Sequence, residues 1–471
     1  MTFFKQAMVS GIALFALTAC QSEPTGSLYY GFTHIDPVKE KTLPNSWVVI
    51  ENGKIKNIGA GKIPTGNFSE SLNMEGLYAL PGFIDAHAHI TAGPHTVDIK
   101  DGAPVLTIES QDEITKFNAR TALAFGITTV RNPGGSTDAN FNYDQKIKEG
   151  IWIGPEALHA GSILQPPPMG GSAFTYPKSK IAWEEEAQAQ AAKGMKYFKL
   201  YVSLTEDEVA QGIKASHKAG LKATTHLDNV SWKKAADLGI NGLEHSLPTS
   251  ADILPANVRQ TYLDERGPDS RYMYRWFELV DYDSPEFLSL KQSLVDNRVE
   301  LNFNFLVNYL VYFGDDPNLI SSDWDPYVHP ETLAASKAMM AMSLTDWTEQ
   351  DFENAQAVFP KVLEFGRILH EAGLPIMIGT DGFGGTPYFA MEMGFHVDAK
   401  IPAWDVLRMA THSAAEILGI SDRTGQIKPG LEADIVFLRA NPLDDMDNIA
   451  EVELTLNNGK AHRFDHLIVA E

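Results

Sequence analysis

Hydrophobic positions keep a period of two near both ends of the chain and change to helical spacing mixed with short apolar runs between them. Ser46–Glu51 alternates about Val48 and Ile50, Asn52-Gly53 supplies a hairpin turn, and Lys54–Ile58 reads as the return strand. Met74–Leu77 looks like another small strand-and-turn unit. Leu80–Ile90 then carries an apolar run, Phe83-Ile84, into His87-Ala88-His89. Residues two apart on a strand face the same side, so both imidazoles can meet one cation. Taken alone, such a pair is more often packed or simply polar.

From Asp112 to Glu416 the pattern predicts alternating helices and buried strands. Ile114–Phe125 has helical spacing and stops at Gly126; Ile127–Val130 is a strand, with Arg131–Gly135 as its loop. Further strands are expected at Ala157–Ala160, Tyr197–Val202, Lys222–His226, Gly242–His245, Val299–Phe305 and Pro375–Gly379. Helices are expected at Trp183–Lys193, Glu206–Ala219, Trp232–Leu238, Phe352–Ala372 and Trp404–Leu418. Repeated units of this length imply a parallel sheet or barrel. Two aromatic, acidic stretches break the rhythm: Ala251–Ser293, read as inserted helices, and Tyr309–Gln350, read as irregular. Their aromatic parts, Tyr262–Asp283 and Tyr309–Tyr327, either roof a pocket or meet a neighbouring subunit. The tail returns to strands at Ala433–Leu438 and Val452–Leu456. The fold expected is α/β: a (β/α)8 TIM barrel over residues 80–422, with a small β-sandwich domain built from both termini, residues 27–79 and 423–471.

Composition narrows the partners. The chain has 471 residues, is 44% hydrophobic and 21% charged, and carries a net charge of −23. That acidic excess argues against nucleic acid, which needs a basic surface. A homo-oligomer is left open. The first residues read as targeting sequence: Lys5, an apolar Ala7–Leu17, then Leu17-Thr18-Ala19-Cys20. This resembles a bacterial lipobox, with residues 1–20 as the signal peptide and Cys20 as the lipidated residue. An ordinary secretory signal is the alternative. The expectation is an envelope protein held by an N-terminal lipid, with Gln21 matching the outer-membrane sorting pattern on the periplasmic side. Cys20 is the only cysteine, so any metal site must use nitrogen and oxygen ligands.

The strand ends carry the chemistry. The expected strands lead to His87 and His89, place Lys199 inside an apolar run, and finish in His226, His245 and Asp381. A bare lysine in a buried strand is costly and needs a reason. Each residue alone has a bland reading: a capped histidine, a turn aspartate, a snorkelling lysine. Together, in this order, they mark the C-terminal face of a (β/α)8 barrel.

At this point the sequence is similar to the amidohydrolase superfamily, within it to the imidazolonepropionase-like and Xaa-Pro dipeptidase-like group. The likeness rests on Ala79–His89, on Ala410-Thr411, Ala414-Ala415 and Leu418-Gly419, and on Gly425–Val436. What the resemblance implies is a pair of divalent metal ions. His87, His89 and Asp381 would hold one, His226 and His245 the other, and a carboxylated Lys199 would bridge them. Zn2+ suits the donors best, with Mn2+ or Co2+ as alternatives. The implied reaction is hydrolysis of an amide or peptide bond in a small substrate, a dipeptide or N-acyl amino acid, by a metal-bridged hydroxide with Asp381 as general acid/base.

Two departures unsettle the substrate. Where the dipeptidase-like relatives carry Gly-Gly-His, this chain has Gly170-Gly171-Ser172, and the family's Arg-Asp-x-Gly-Gly is here Arg131-Asn132-Pro133-Gly134-Gly135. His159 is offered as a substitute substrate contact or as a packed strand end. Tyr201, on the face of Lys199, either touches substrate or packs. The loop Gly382–Pro387 reads as mobile. Two other functions remain in view: a one-metal deaminase or cyclic amidohydrolase with unmodified Lys199, and a lipoprotein that only captures a ligand.

Overall fold

The computed structural model describes residues 25–100, 103–266, 269–320, 322–382 and 388–468. The expected signal segment, residues 1–20 with Cys20, and most of the Gly382–Pro387 loop lie outside them. Eight parallel strands form the centre: β1 (Phe83–Asp85), β2 (Ile127–Asn132), β3 (Glu156–His159), β4 (Tyr197–Leu200), β5 (Lys222–Thr225), β6 (Gly242–Glu244), β7 (Glu300–Asn302) and β8 (Ile376–Met377). Every residue of β1, β2, β4 and β6 is buried. That is the pattern of parallel strands covered on both faces, and it explains why they read as continuous apolar runs.

The arrangement is TIM-barrel-like, as the expected (β/α)8 barrel requires, but among the described residues its strands pair as two sheets and not as one closed ladder. β1, β2 and β3 form one sheet, while β4 to β8 belong to another. The reason is a break at Gly161-Ser162 after β3. Below it Ala160 bridges Tyr197; above it Ile163–Leu164 pairs with Leu200 and takes the edge of β4. The other seam is also stitched rather than laddered. Ala86 N–H donates to the Ile378 carbonyl (2.8 Å), Asp381 N–H to His87 (2.7 Å) and His89 N–H to Gly382 (2.9 Å). This second seam brings the ends of β1 and β8 together.

The terminal strands also differ from expectation. They form one eight-stranded mixed sheet, in place of the expected β-sandwich. Tyr78–Pro81 pairs antiparallel with Ile435–Leu438, so the two ends of the chain share a ladder. Tyr29, Phe32, Val48, Ile50, Phe437 and Leu454 bury a separate apolar cluster against it. The chain leaves Pro81 through Gly82 directly into β1. A Cβ on Gly82 would stand 2.2 Å from Thr128 Oγ1, so only glycine passes there. The sheet thereby anchors the strand that delivers the histidine pair.

Helices cover the outside. Glu206–Lys218 starts from a Thr205–Glu208 capping box. The stretch Tyr309–Gln350 is mostly helical, with Phe305–Tyr312 leading into it and Pro330–Ser343 inside it. The long Glu349–Glu371 helix directs Phe365 into a ring cluster with Trp232, Phe277, Phe287 and Phe303. Tyr262, Tyr274, Trp276 and Phe277 are fully buried, so this insertion's aromatics feed the chain's own core. The expected closing helix is two, Ala403–Met409 and His412–Leu418. Thr137–Lys148, Tyr388–Asp398 and a hairpin at His95–Lys100 and Ala103–Ile108 were not visible in the periodicity. Among the described residues no helix is long and apolar enough to cross a membrane.

Candidate metal centre

Strand geometry delivers six side chains to one end of the central strands. His87 and His89 follow β1, Lys199 lies in β4, His226 and His245 stand one residue past β5 and β6, and Asp381 follows β8. His245 and Asp381 adopt left-handed backbone, φ 66° and 56°. Outside glycine this is uncommon, and it marks both positions as strained backbone at the cluster.

The closest convergence is on Asp381. Its Oδ1 stands 3.0 Å from His87 Nε2 and 3.3 Å from His89 Nε2. His245 Nδ1 is 3.7 Å from Oδ2. His226 and His245 rings lie 4.4 Å apart between centroids, and His245 and His87 rings 4.9 Å. Among the described residues His87, His89 and Asp381 form a group able to hold a cation.

The histidine tautomers follow from their partners. His87 Nδ1–H donates to Glu244 Oε2 at 2.9 Å, and His89 Nδ1–H donates to the Gly134 carbonyl at 2.8 Å. Both acceptors lack protons, so in the neutral imidazole the lone pair lies on Nε2, the atom that faces Asp381 in each ring. Three lone-pair atoms then crowd one point, an arrangement that a cation relieves. Ligand atoms each about 2.1 Å from one ion stand about 3 to 3.5 Å apart, as the two Nε2 atoms do from Asp381 Oδ1. The donors therefore fit a divalent metal.

Charge agrees. Burial pushes His226 down to about 3, with Lys199 adding to the shift. Burial, then His226, holds His245 well below its ordinary value. Both are neutral imidazoles at neutral pH, the form that ligates. Burial opposes ionisation of Asp381, yet its carboxyl stays well below the usual carboxylate range among the ring nitrogens of His245, His87 and His89. Lys199 is 1% exposed and its Nζ has no hydrogen-bond partner among the described residues. Burial lowers its ammonium to about 8 against the pull of Glu244, 4.0 Å away.

Glu244 and Arg131 were not assigned from the sequence. Arg131 Nη1 and Nη2 each donate to Glu244 at 2.7 Å, and both residues are buried. Burial would raise the Glu244 carboxyl, but Arg131, Lys199 and His87 outweigh it and hold it well below the usual range. The signal was present: the argument applied to Lys199, a charge inside an all-buried strand, applies equally to these two. Asp85 was also missed. It accepts from His87 N–H (3.1 Å), Thr380 N–H (3.2 Å) and Thr380 Oγ1–H (2.8 Å), pinning β1 to the Asp381 turn.

The two offered substrate contacts separate. Tyr201 stands edge-on to His226, 5.3 Å between centroids, at the cluster. His159 is held elsewhere: its Nδ1 accepts from Asn132 at 3.1 Å and its Nε2 lies 3.2 Å from Asp144.

Gly379 packs against the cluster. A Cβ there would fall 2.6 Å from His87 Cβ and 2.7 Å from His87 N. Gly379→Ala is expected to cost about 1–3 kcal/mol by overpacking and to displace His87 from Asp381. Thermal unfolding and metal content, measured on one preparation, check this; wild-type values for both would refute it.

A TIM-barrel-like α/β fold with a His-His-Asp group able to hold a cation at its strand ends defines the class. The chain belongs to the amidohydrolase family, whose model matches residues 78–270 and 327–461. It is 21% identical over 433 residues to the imidazolonepropionase of Caldanaerobacter subterraneus subsp. tengcongensis, covering 87% of this chain and 88% of that one. In structure it is similar to a Xaa-Pro dipeptidase with bound methionine, TM-score 0.65, 18% identical, covering 93% of this chain and 100% of the other. It is also similar to the A. niger ochratoxinase, TM-score 0.63, 16% identical, covering 94% and 96%. At these identities the structures speak for the fold.

Proposed function

We propose that the protein is a metal-dependent hydrolase of C–N bonds in small substrates, dipeptides or N-acyl amino acids. The observation that carries this is the convergence of two acceptor-fixed imidazoles on Asp381, within an amidohydrolase-family fold. His87, His89 and Asp381 would hold one divalent ion, and His226 and His245 a second, with carboxylated Lys199 between them. Bound metal supplies Lewis acidity, which polarises the scissile carbonyl and acidifies water. Asp381 accepts the proton of the attacking water and passes it to the leaving nitrogen. Tyr201 beside His226 lines the approach. Arg131, Glu244 and Asp85 hold the surrounding frame.

A second reading has one observation in its favour. His87, His89 and Asp381 are tightly grouped, whereas His245 stands farther from Asp381. A one-metal enzyme acting on a cyclic amide, or a deaminase, needs only the first group. Counting metal per chain while profiling hydrolysis of dipeptides, N-acyl amino acids and cyclic amides separates the two. The favoured reading expects two ions per chain, cleavage of linear amides, and loss of turnover on chelation. One ion with cyclic substrates alone selects the second. A metal-replete protein inert to all of them sinks both.

A further inference from the structure

The end of β2 stands behind both histidines of the metal pair. Arg131 and Asn132 are strand neighbours and face opposite sides. Arg131 points inward, where its two terminal nitrogens each donate to Glu244 at 2.7 Å and its Nε donates to the Ala86 carbonyl at 2.5 Å. Glu244 in turn accepts from His87 Nδ1–H. Asn132 points the other way. Its Nδ2 lies within reach of Thr91 Oγ1 (3.0 Å), Asn140 Oδ1 (3.1 Å) and His159 Nδ1 (3.1 Å). Its Oδ1 accepts from Gly134 N–H at 3.3 Å, and the Gly134 carbonyl accepts from His89 Nδ1–H.

Two consecutive residues thus lead, by separate routes, to the back of the two imidazoles. The routes end in different acceptors. Behind His87 is a carboxylate clamped by a guanidinium; behind His89 is a backbone carbonyl whose loop is tied to a buried amide. A charged acceptor raises imidazole basicity more than a neutral one.

We propose that Arg131 and Asn132 are paired positioning residues that fix the tautomers and aim of His87 and His89 through Glu244 and Gly134, making His87 the stronger metal ligand. The inference rests on the metal-hydrolase reading of the site. It also accounts for Asn132. An amide both donates to His159 and accepts from Gly134 N–H, whereas an aspartate there could only accept and would leave His159 Nδ1 without that donor.

The test uses the full-length protein, with Zn2+ affinity measured by competition with a fluorescent chelator. Glu244→Gln alone would strand a buried guanidinium and threaten folding. The double variant Arg131→Met with Glu244→Gln removes both charges and keeps an acceptor behind His87. It is expected to bind Zn2+ about 10- to 100-fold more weakly than wild type. Asn132→Ala is expected to weaken binding less, because the Gly134 carbonyl stays in the chain. The 15N spectrum of the metal-free protein should show Nδ1–H, Nε2-lone-pair forms for both histidines in the wild type. In the double variant the new amide can accept from or donate to Nδ1, so His87 should no longer hold that form exclusively; Asn132→Ala should shift His89 in the same sense but less, because the Gly134 carbonyl remains. Wild-type Zn2+ affinity and tautomers in both variants, with only the melting temperature lowered, overturn the proposal and leave a purely structural role. A wild type that takes no Zn2+ yet shows the expected tautomers, shifted in the variants, sinks the metal reading while upholding the brace.

Discussion

Asp381→Asn is expected to lower kcat by about 10^2- to 10^4-fold, the range for removing a general acid/base, while most of the metal stays bound. The substitution suits the position. Asp381 sits at φ 56°, a left-handed conformation that asparagine adopts about as readily, so the turn should survive. The amide oxygen can still face His87 and His89, where Oδ1 now stands 3.0 and 3.3 Å away. What disappears is a carboxylate able to accept water's proton and return it to the leaving nitrogen. The measurement is kcat with metal content on the same sample; full turnover with full metal would strip Asp381 of this role.

Lys199→Ala carries the second large effect. A neutral amine is the form that takes up carbon dioxide, and burial lowers the Lys199 ammonium to about 8. Below that value the folded state holds an ammonium with no hydrogen-bond partner among the described residues. The sign follows. A folded-state pKa below the ordinary lysine value of about 10.4 means the unmodified protein gains stability as pH rises from about 8 towards 10, and carries the full penalty below 8. The proposed carboxylation would remove that penalty and turn a repelling cation into an anionic ligand. Losing it should cost several kcal/mol of charge stabilisation, on the order of 10^2- to 10^3-fold in turnover. Short carboxylic acids such as propionate, filling the vacated space, should restore part of the activity. An alanine variant with wild-type turnover and metal content would exclude a bridging role.

Much of this site was legible in the residue order because strand ends are read in sequence. A histidine at the end of a buried strand, repeated with a lysine and an aspartate, needs no tertiary information to be noticed. The roles of Glu244 and Arg131 were harder to read for a physical reason. Their partners lie 113 residues apart, and only the closing of the strands around one axis sets guanidinium against carboxylate. His159 follows the packed alternative that the sequence reading offered beside a substrate contact. It ends a buried strand as the true cluster members do, yet its partners turn it towards Asn132 and Asp144.

The fold divides in the same way. Period-two ends, a helix-and-strand middle and the residues that finish each strand are local properties, set by side-chain alternation and turn chemistry. Whether the middle pairs as one ladder or two sheets depended on a break at Gly161-Ser162. Whether the ends formed one sheet or two layers depended on Tyr78–Pro81 meeting Ile435–Leu438 from the far end of the chain. Sequence alone determined which side chains were available at the strand ends. Tertiary structure decided which of them met, because pairing edges and burial partners are properties of distant segments and leave no periodicity of their own.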